Sequence, residues 1–309
     1  MKLPKTKTKP VDRLEEQIIL IHGRPKIGKS TFASQFENPL FLATEPGLKS
    51  LETFQVIISN WSDMWDSINA LKNDEHDFKT AVIDTVDNAW MWCEQYIVKQ
   101  WNLAHDEKEV IIHISDLQYG KGTHLVRDEF RRAIVSLLNL GLGLIMISHS
   151  EDKEFLNRVR TVTTLPGTAR RVVEGLADII LYATIKGDKR VLYTKPSGDH
   201  TAGDRTGRLS EIVDLNYEKF LLDWYGGDDN QINEKVKGAV GYLKDKQIDG
   251  FEVEKRIANS LEKHLGIKTV ADLSKAPIAK KQSYIRHLKE KALKHKKENG
   301  NGITGHKPS

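Results

Sequence analysis

Residues Ile18 to Thr31, IILIHGRPKIGKST, restrict this chain more than any other stretch. An apolar run, Ile18 to Ile21, suits a buried strand, and from Lys29 onward the residues can start a helix. Between them stands Gly23-x-x-x-x-Gly28-Lys29-Ser30, the P-loop pattern. Two glycines let the backbone wrap a polyphosphate, so that successive N–H groups and the helix N-terminus face its oxygens. The nucleotide cradle is then Gly23, Arg24, Pro25, Lys26, Ile27, Gly28, Lys29, Ser30 and Thr31. Lys29 reaches the β and γ phosphates of ATP, and the Ser30 hydroxyl ligates Mg²⁺. Four fixed positions at ordinary residue frequencies match by chance in roughly one chain in a hundred of this length. The plainer alternative is a glycine turn ahead of an amphipathic helix.

A chain of 309 residues has room for one large α/β domain and a smaller appendage, and its 39% hydrophobic content supplies a core. Charged residues at 29% and a mean hydropathy of -0.47 point to a soluble protein. The basic start, MKLPKTKTKP, lacks the apolar stretch of a signal peptide, and no run approaches the length of a membrane span. A cytoplasmic protein without a membrane partner is expected. The single cysteine, Cys93, excludes an internal disulfide framework and a cysteine-based zinc site. Net charge is +4, but between Lys280 and Glu298 eight Lys/Arg face two Glu, so the basic character lies at the C-terminus. The expected organisation is a flexible basic arm (1–15), an α/β core (16–226), a basic helical module (227–298) and a disordered tail (299–309).

Beyond the P-loop, Asn38 to Thr44 reads as a second buried strand with Glu45 at its carboxyl end. In open α/β sheets that end faces the ligand. Glu45 is therefore placed to activate a water near the γ-phosphate, the alternative being an acid in a surface turn. Phe54 to Ile58 is a third apolar segment, and Trp61 to Lys72 has helical spacing. Thr80 to Asp84 is an apolar strand ending in an acid, the Walker B pattern; at the tip Asp84 can hold Mg²⁺ beside Ser30. A long helix is expected over Asp87 to His105, with Cys93 as an inert packed thiol.

Ile114 to Arg127 then looks like a polar loop, in which Tyr119, Lys121, His124 and Arg127 combine a stacking ring with cations. That mix suits single-stranded nucleic acid, and equally a solvated loop before a helix from Arg127 to Leu140. Gly143 to Ser148 is the next buried strand, with His149 at its end as a sensor of the γ-phosphate or as a satisfied buried histidine. Glu151 to Arg171, carrying Arg158, Arg160, Arg170 and Arg171, reads as a second long polar connection. Asp178 to Ile185 and Arg190 to Thr194 read as a closing strand pair, followed by Lys195 and by Asp204-Arg205-Thr206-Gly207. Past Gly226, Ile232 to Lys246, Phe251 to Leu265 and Ile278 to Lys297 have helical spacing. Leu261, Leu265, Ile267, Val270 and Leu273 could close a small core.

The segments GRPKIGKSTFA, FLATEPG, VIDTVD, YGKG, ISH and AGDRTG together resemble the phage AAA-type ATP-binding proteins of the RecA-like single-strand annealing group. The resemblance covers about His22 to Trp224. It implies a RecA-like P-loop core, a mostly parallel sheet flanked by helices, working as an ATPase that is stimulated by DNA. It implies an ATP site completed at a subunit interface, with Lys195 and Arg205 offered to a neighbour's γ-phosphate. It also implies that Gln118 to Arg127 and Glu151 to Arg171 face single-stranded DNA. Two features depart from relatives. Only about fifteen residues precede the core where RecA carries a polymerisation element, and Gly203 stands where replicative helicases often have a Lys two places before the finger.

The expected function is Mg-ATP-dependent single-strand annealing or recombination by a homo-oligomer, a ring or short filament. The basic C-terminal module would meet phosphates or an acidic tail of a single-strand-binding or other recombination protein. A small-molecule P-loop kinase, an ATP-controlled loader and a related helicase are the alternatives.

Overall fold

A computed structural model describes residues 13–105, 109–155, 157–226 and 250–278, together with residues 3, 6, 7, 11, 232–234, 236–238, 240, 280, 281, 283–285, 287 and 288. It divides into two compact units, Met1–Tyr217 and Glu218–Ser309. The first is built on a mostly parallel sheet. Its strands are β1 (Ile18–Gly23), β2 (Pro39–Ala43), β3 (Phe54–Ile57), β4 (Thr80–Asp84), β5 (Gly143–Phe155), β6 (Arg158–Thr163), β7 (Ile179–Lys186), β8 (Lys189–Tyr193), β9 (Gly203–Asp204) and β10 (Ile212–Asp214). The order across the sheet is β10-β8-β7-β1-β5-β4-β2-β3. The run from β7 to β3 is parallel throughout, and β8 and β10 add an antiparallel margin.

Burial explains these strands. Residues of β1, β2 and β4 are almost wholly buried, which is why they read as continuous apolar runs without alternation. Strand β3 closes the sheet as an edge, and all four of its residues are exposed. The helices are α1 (Lys29–Ala33), α2 (Trp61–Asn73), α3 (Val86–Ala104), α4 (Lys121–Leu138) and α5 (Gly167–Leu176). Asn60 caps α2 by accepting from the Ser62 and Asp63 amides, while Asp63 reaches back to the Asn60 N–H. Trp61, Trp90, Cys93, Val126 and Phe130 join one core that packs α2, α3 and α4 together. Phe130 lies 5.8 Å from the Trp61 ring and 5.1 Å from Trp90. Cys93 is enclosed there, and burial pushes its thiol pKa up, so it stays protonated.

The two polar connections are not loops. Lys121, His124 and Arg127 lie in the first turns of α4, and only Tyr119 precedes them, in a 3-10 turn (Gln118–Gly120). Gly122, in the first turn of α4, is demanded by packing: a Cβ there would stand 2.1 Å from the Ile114 carbonyl oxygen. Glu151 to Phe155 and Arg158 to Thr163 are strand, and Gly167 to Arg171 is helix. Strand β5 runs past the sheet and returns as β6 in an antiparallel hairpin, and α5 follows. His149 therefore sits within β5, not at its end.

The second unit has its own core, in which Leu261, Leu265, Ile267 and Leu273 are buried and Val270 packs against them. Its helices include α6 (Tyr217–Trp224), which begins at the boundary, and α7 (Gly250–Leu265). The residues expected to form the disordered tail, most of the N-terminal arm, and the last helix beyond residue 288 lie outside the described residues.

Candidate nucleotide site

Strand β1 delivers the chain to the P-loop in a crowded place. A Cβ on Gly23 would stand 2.4 Å from the Ala183 carbonyl oxygen of β7, so the strand can end there only in glycine. The loop turns through positive φ at Lys26 (65°) and Gly28 (113°), while Ile27 is buried beneath it and Arg24, Pro25 and Thr31 are exposed. Lys29 opens α1 and is only 5% exposed. Its Nζ donates to the carbonyl oxygens of Gly23 (2.8 Å) and Arg24 (3.1 Å). Burial lowers the Lys29 pKa, against the pull of Asp84, Asp87 and Glu45.

Two strand tips, of β2 and β4, and the interior of β5 bring the other groups to the same edge. In register, Asp84 pairs with Ala43 of β2 and Ile147 of β5, and His149 pairs with Gly23. The Ser30 Oγ donates to Asp84 Oδ2 at 2.7 Å. Burial raises the Asp84 pKa, partly offset by that hydrogen bond. Glu45 follows β2 by two residues, and its Oε2 lies 3.6 Å from His149 Nε2. That is long for a hydrogen bond, yet the His149 ring holds the Glu45 carboxyl below its ordinary pKa. The His149 Nδ1 is buried without a partner among the described residues. Lys29, Ser30, Glu45, Asp84 and His149 thus converge on the carboxyl edge of the sheet.

Three further residues set this geometry. Thr44 Oγ1 donates to the Thr85 carbonyl and accepts from the Thr85 amide, both at 2.8 Å, which fixes the Glu45 tip against the Asp84 tip. Asp87, in the first turn of α3, accepts from Ser148 Oγ (3.0 Å), the His149 amide (3.2 Å) and Thr164 Oγ1. Burial raises its pKa, against those hydrogen bonds. His22 is fully buried one residue before Gly23; its Nε2 donates to the Thr201 carbonyl (2.7 Å) and its Nδ1 accepts from Ser150 Oγ (2.8 Å). The acid in VIDTVD was the available signal for Asp87. Nothing local marks Thr44 or His22, because their partners are distant in sequence.

The donor set fits Mg-ATP. A serine hydroxyl beside a carboxylate offers hard oxygen ligands, and Mg²⁺ in such sites takes the rest of its shell from phosphates and water. Among the described residues no group of three or more His, Cys, Asp or Glu could hold a metal ion. Lys29, buried and held only by carbonyls of its own loop, is a cation poised for phosphate oxygens.

Arg205 and Lys195 lie elsewhere. Arg205 Nη1 is 3.3 Å from Asp178 Oδ1, Nη2 donates to the Gly175 carbonyl, and the side chain is 61% exposed. Asp178 also accepts from the Ile18 amide, so Arg205 sits at the amino ends of β1 and β7, opposite the P-loop. Lys195 pairs with Asp204 at 3.3 Å near the same end. Neither reaches the P-loop of its own chain. Tyr119 is 98% exposed, Lys121 stands over the Trp101 ring at 4.5 Å, and Arg127 pairs with Asp128. Arg158 and Arg160 belong to β6, Arg171 is exposed on α5, and Arg170 ties α5 to β6 by donating to Thr163 and Leu165.

A parallel sheet whose central strand feeds a P-loop, flanked by an acid-tipped strand and a Glu–His contact at the same edge, defines a P-loop ATPase core. The match of residues 15–206 to the AAA domain family AAA_24 places this chain in that family. Among solved structures it is similar to a KaiC-like protein from Pyrococcus horikoshii OT3, at 17% identity and a TM-score of 0.34, covering 58% of this chain and 78% of the other. The fold assignment stands on the strand order and the P-loop geometry themselves. A comparison with curated proteins finds no match. No described helix is long and apolar enough to cross a membrane.

Proposed function

We propose that this chain is an Mg-ATP-hydrolysing protein that binds single-stranded DNA and promotes annealing or recombination as a cytoplasmic homo-oligomer. One observation carries the reading. The strand that presents His149 to Glu45 continues without a break into the hairpin bearing Arg158 and Arg160. The P-loop is tied to the same hairpin, since Arg24 pairs with Asp152 (3.1 Å), which accepts from Thr161 (2.7 Å). A change at the γ-phosphate side of the site therefore has a continuous strand through which to reach a basic surface.

In this reading Lys29 and the loop amides bind the phosphates, Glu45 orients and deprotonates the attacking water, and His149 registers the γ-phosphate. Mg²⁺, held through Ser30 and Asp84, would neutralise charge developing on the phosphates. Arg205 or Lys195 would complete a neighbour's site, and the C-terminal unit would recruit a single-strand-binding protein or another recombination protein.

The test is ATP turnover without nucleic acid, with single-stranded DNA and with duplex, at one low salt concentration because phosphate contacts are salt-sensitive. Stimulation by single strands only, abolished by Lys29→Ala, is expected. Turnover indifferent to DNA would overturn the DNA-dependent reading and favour a kinase or an assembly switch.

A further inference from the structure

A cavity of about 700 Å³ lies outside the nucleotide site, between β6, α5 and the segment before β9. Arg158 and Arg160 line it from β6, Arg170 and Glu174 from α5, and Gly198 and Thr201 close it. Three guanidinium groups thus face one carboxyl, and none of the four takes part in an ion pair among the described residues. Arg160 Nε is buried and has no hydrogen-bond partner, and Glu174 Oε1 is in the same condition. Arg170 spends Nε and Nη2 on Thr163 and Leu165, which holds its guanidinium in place. Buried donors of this kind are rarely left unpaired in a native protein.

We propose that this cavity is a binding site for a phosphate group, taken up by Arg158, Arg160 and Arg170. The planar forks of arginine match the oxygens of a phosphate in a way that a carboxylate-poor, partly buried cavity strengthens. Burial raises the Glu174 pKa against the pull of Arg170 and Arg160, which weakens its opposition to an anion. The phosphate comes either from the backbone of a single strand or from a free phosphate. The first source rests on the DNA-binding reading above; the site itself does not. The wall of the cavity also touches the ATPase core, since Thr201 accepts from His22 and its amide donates to the Thr161 carbonyl.

The experiment uses the full chain with its P-loop saturated by a non-hydrolysable ATP analogue and Mg²⁺, so that phosphate bound there gives no signal. Inorganic phosphate and an oligothymidylate are titrated separately into the wild type, Arg160→Gln and Arg158→Gln. Arg158 is exposed, so its variant is a fold-neutral second probe. Expected are a loss of affinity of about tenfold or more in each variant, and for the oligonucleotide a salt-dependence slope smaller by about 0.7 per lost contact. If phosphate binding is lost in the variants while the oligonucleotide binds equally well, or does not bind the wild type, the site stands with free phosphate as its ligand and the DNA reading of this face falls. Equal affinities for both probes in wild type and both variants, or no binding of either probe to the wild type, would overturn the proposal.

Discussion

At the scale of single residues, the consequential contact is Glu45 with His149, because it joins a carboxylate held below its ordinary pKa to a ring whose residue pairs in register with Gly23 of the P-loop. Glu45→Gln keeps the shape and removes the base. Its kcat should fall by about 10² to 10⁴, with ATP affinity changed less than a few-fold; unaltered turnover would remove Glu45 from the chemistry. His22 makes a separate prediction about stability. Burial lowers its pKa from 6.5 to about 4, so the folded protein keeps it neutral while the unfolded chain protonates it below 6.5. Its contribution is fully present above pH 6.5 and is lost as pH falls toward 4, about 2 kcal/mol by pH 5. Urea midpoints at pH 7.5 and 5 should fall less steeply in His22→Gln than in the wild type. A parallel loss in both proteins would show that His22 titrates normally.

At the scale of elements, the strands of the sheet interior were legible and the charged elements were not. Ile19 to Ile21, Leu40 to Thr44 and Thr80 to Asp84 are buried on both faces, so their apolar runs could be seen without any knowledge of neighbours. The β5–β6 hairpin is exposed on much of its surface, and its Glu, Asp, Lys and Arg side chains imitate a loop. Only the β-branched residues of VRTVT betray it. Helix α4 was foreshortened for another reason. Gly122 weakens a helix locally, and what holds it there is a close approach to the Ile114 backbone that only the folded chain creates. The same helix supplies Phe130, fully buried between Trp61 and Trp90. Phe130→Ala should cost about 3 to 5 kcal/mol, lowering Tm by roughly 10 °C. A shift of only a degree or two would mean that α2, α3 and α4 repack around the cavity.

At the scale of the whole molecule, the two ends of the sheet are chemically distinct. The carboxyl edge holds the nucleotide groups, and the amino edge presents Arg205, pinned to Asp178 yet largely exposed. If the ATP site is completed in an oligomer, Arg205→Ala should reduce turnover at least about 10³-fold, and mixing it with Lys29→Ala subunits should restore part of the activity. No gain on mixing, with the oligomer intact by sedimentation, would exclude Arg205 as a finger in trans.

The amino-acid sequence alone determined the P-loop, the acid-tipped strand and the apolar heart of the sheet, because each is a local pattern imposed by phosphate geometry or by burial. Tertiary structure alone decided that His149 meets Glu45, that Thr44 and Asp87 brace the strand tips, and that three arginines from β6 and α5 share one cavity. Those relations depend on parallel register and on a hairpin return, which bring together residues separated by tens of positions along the chain.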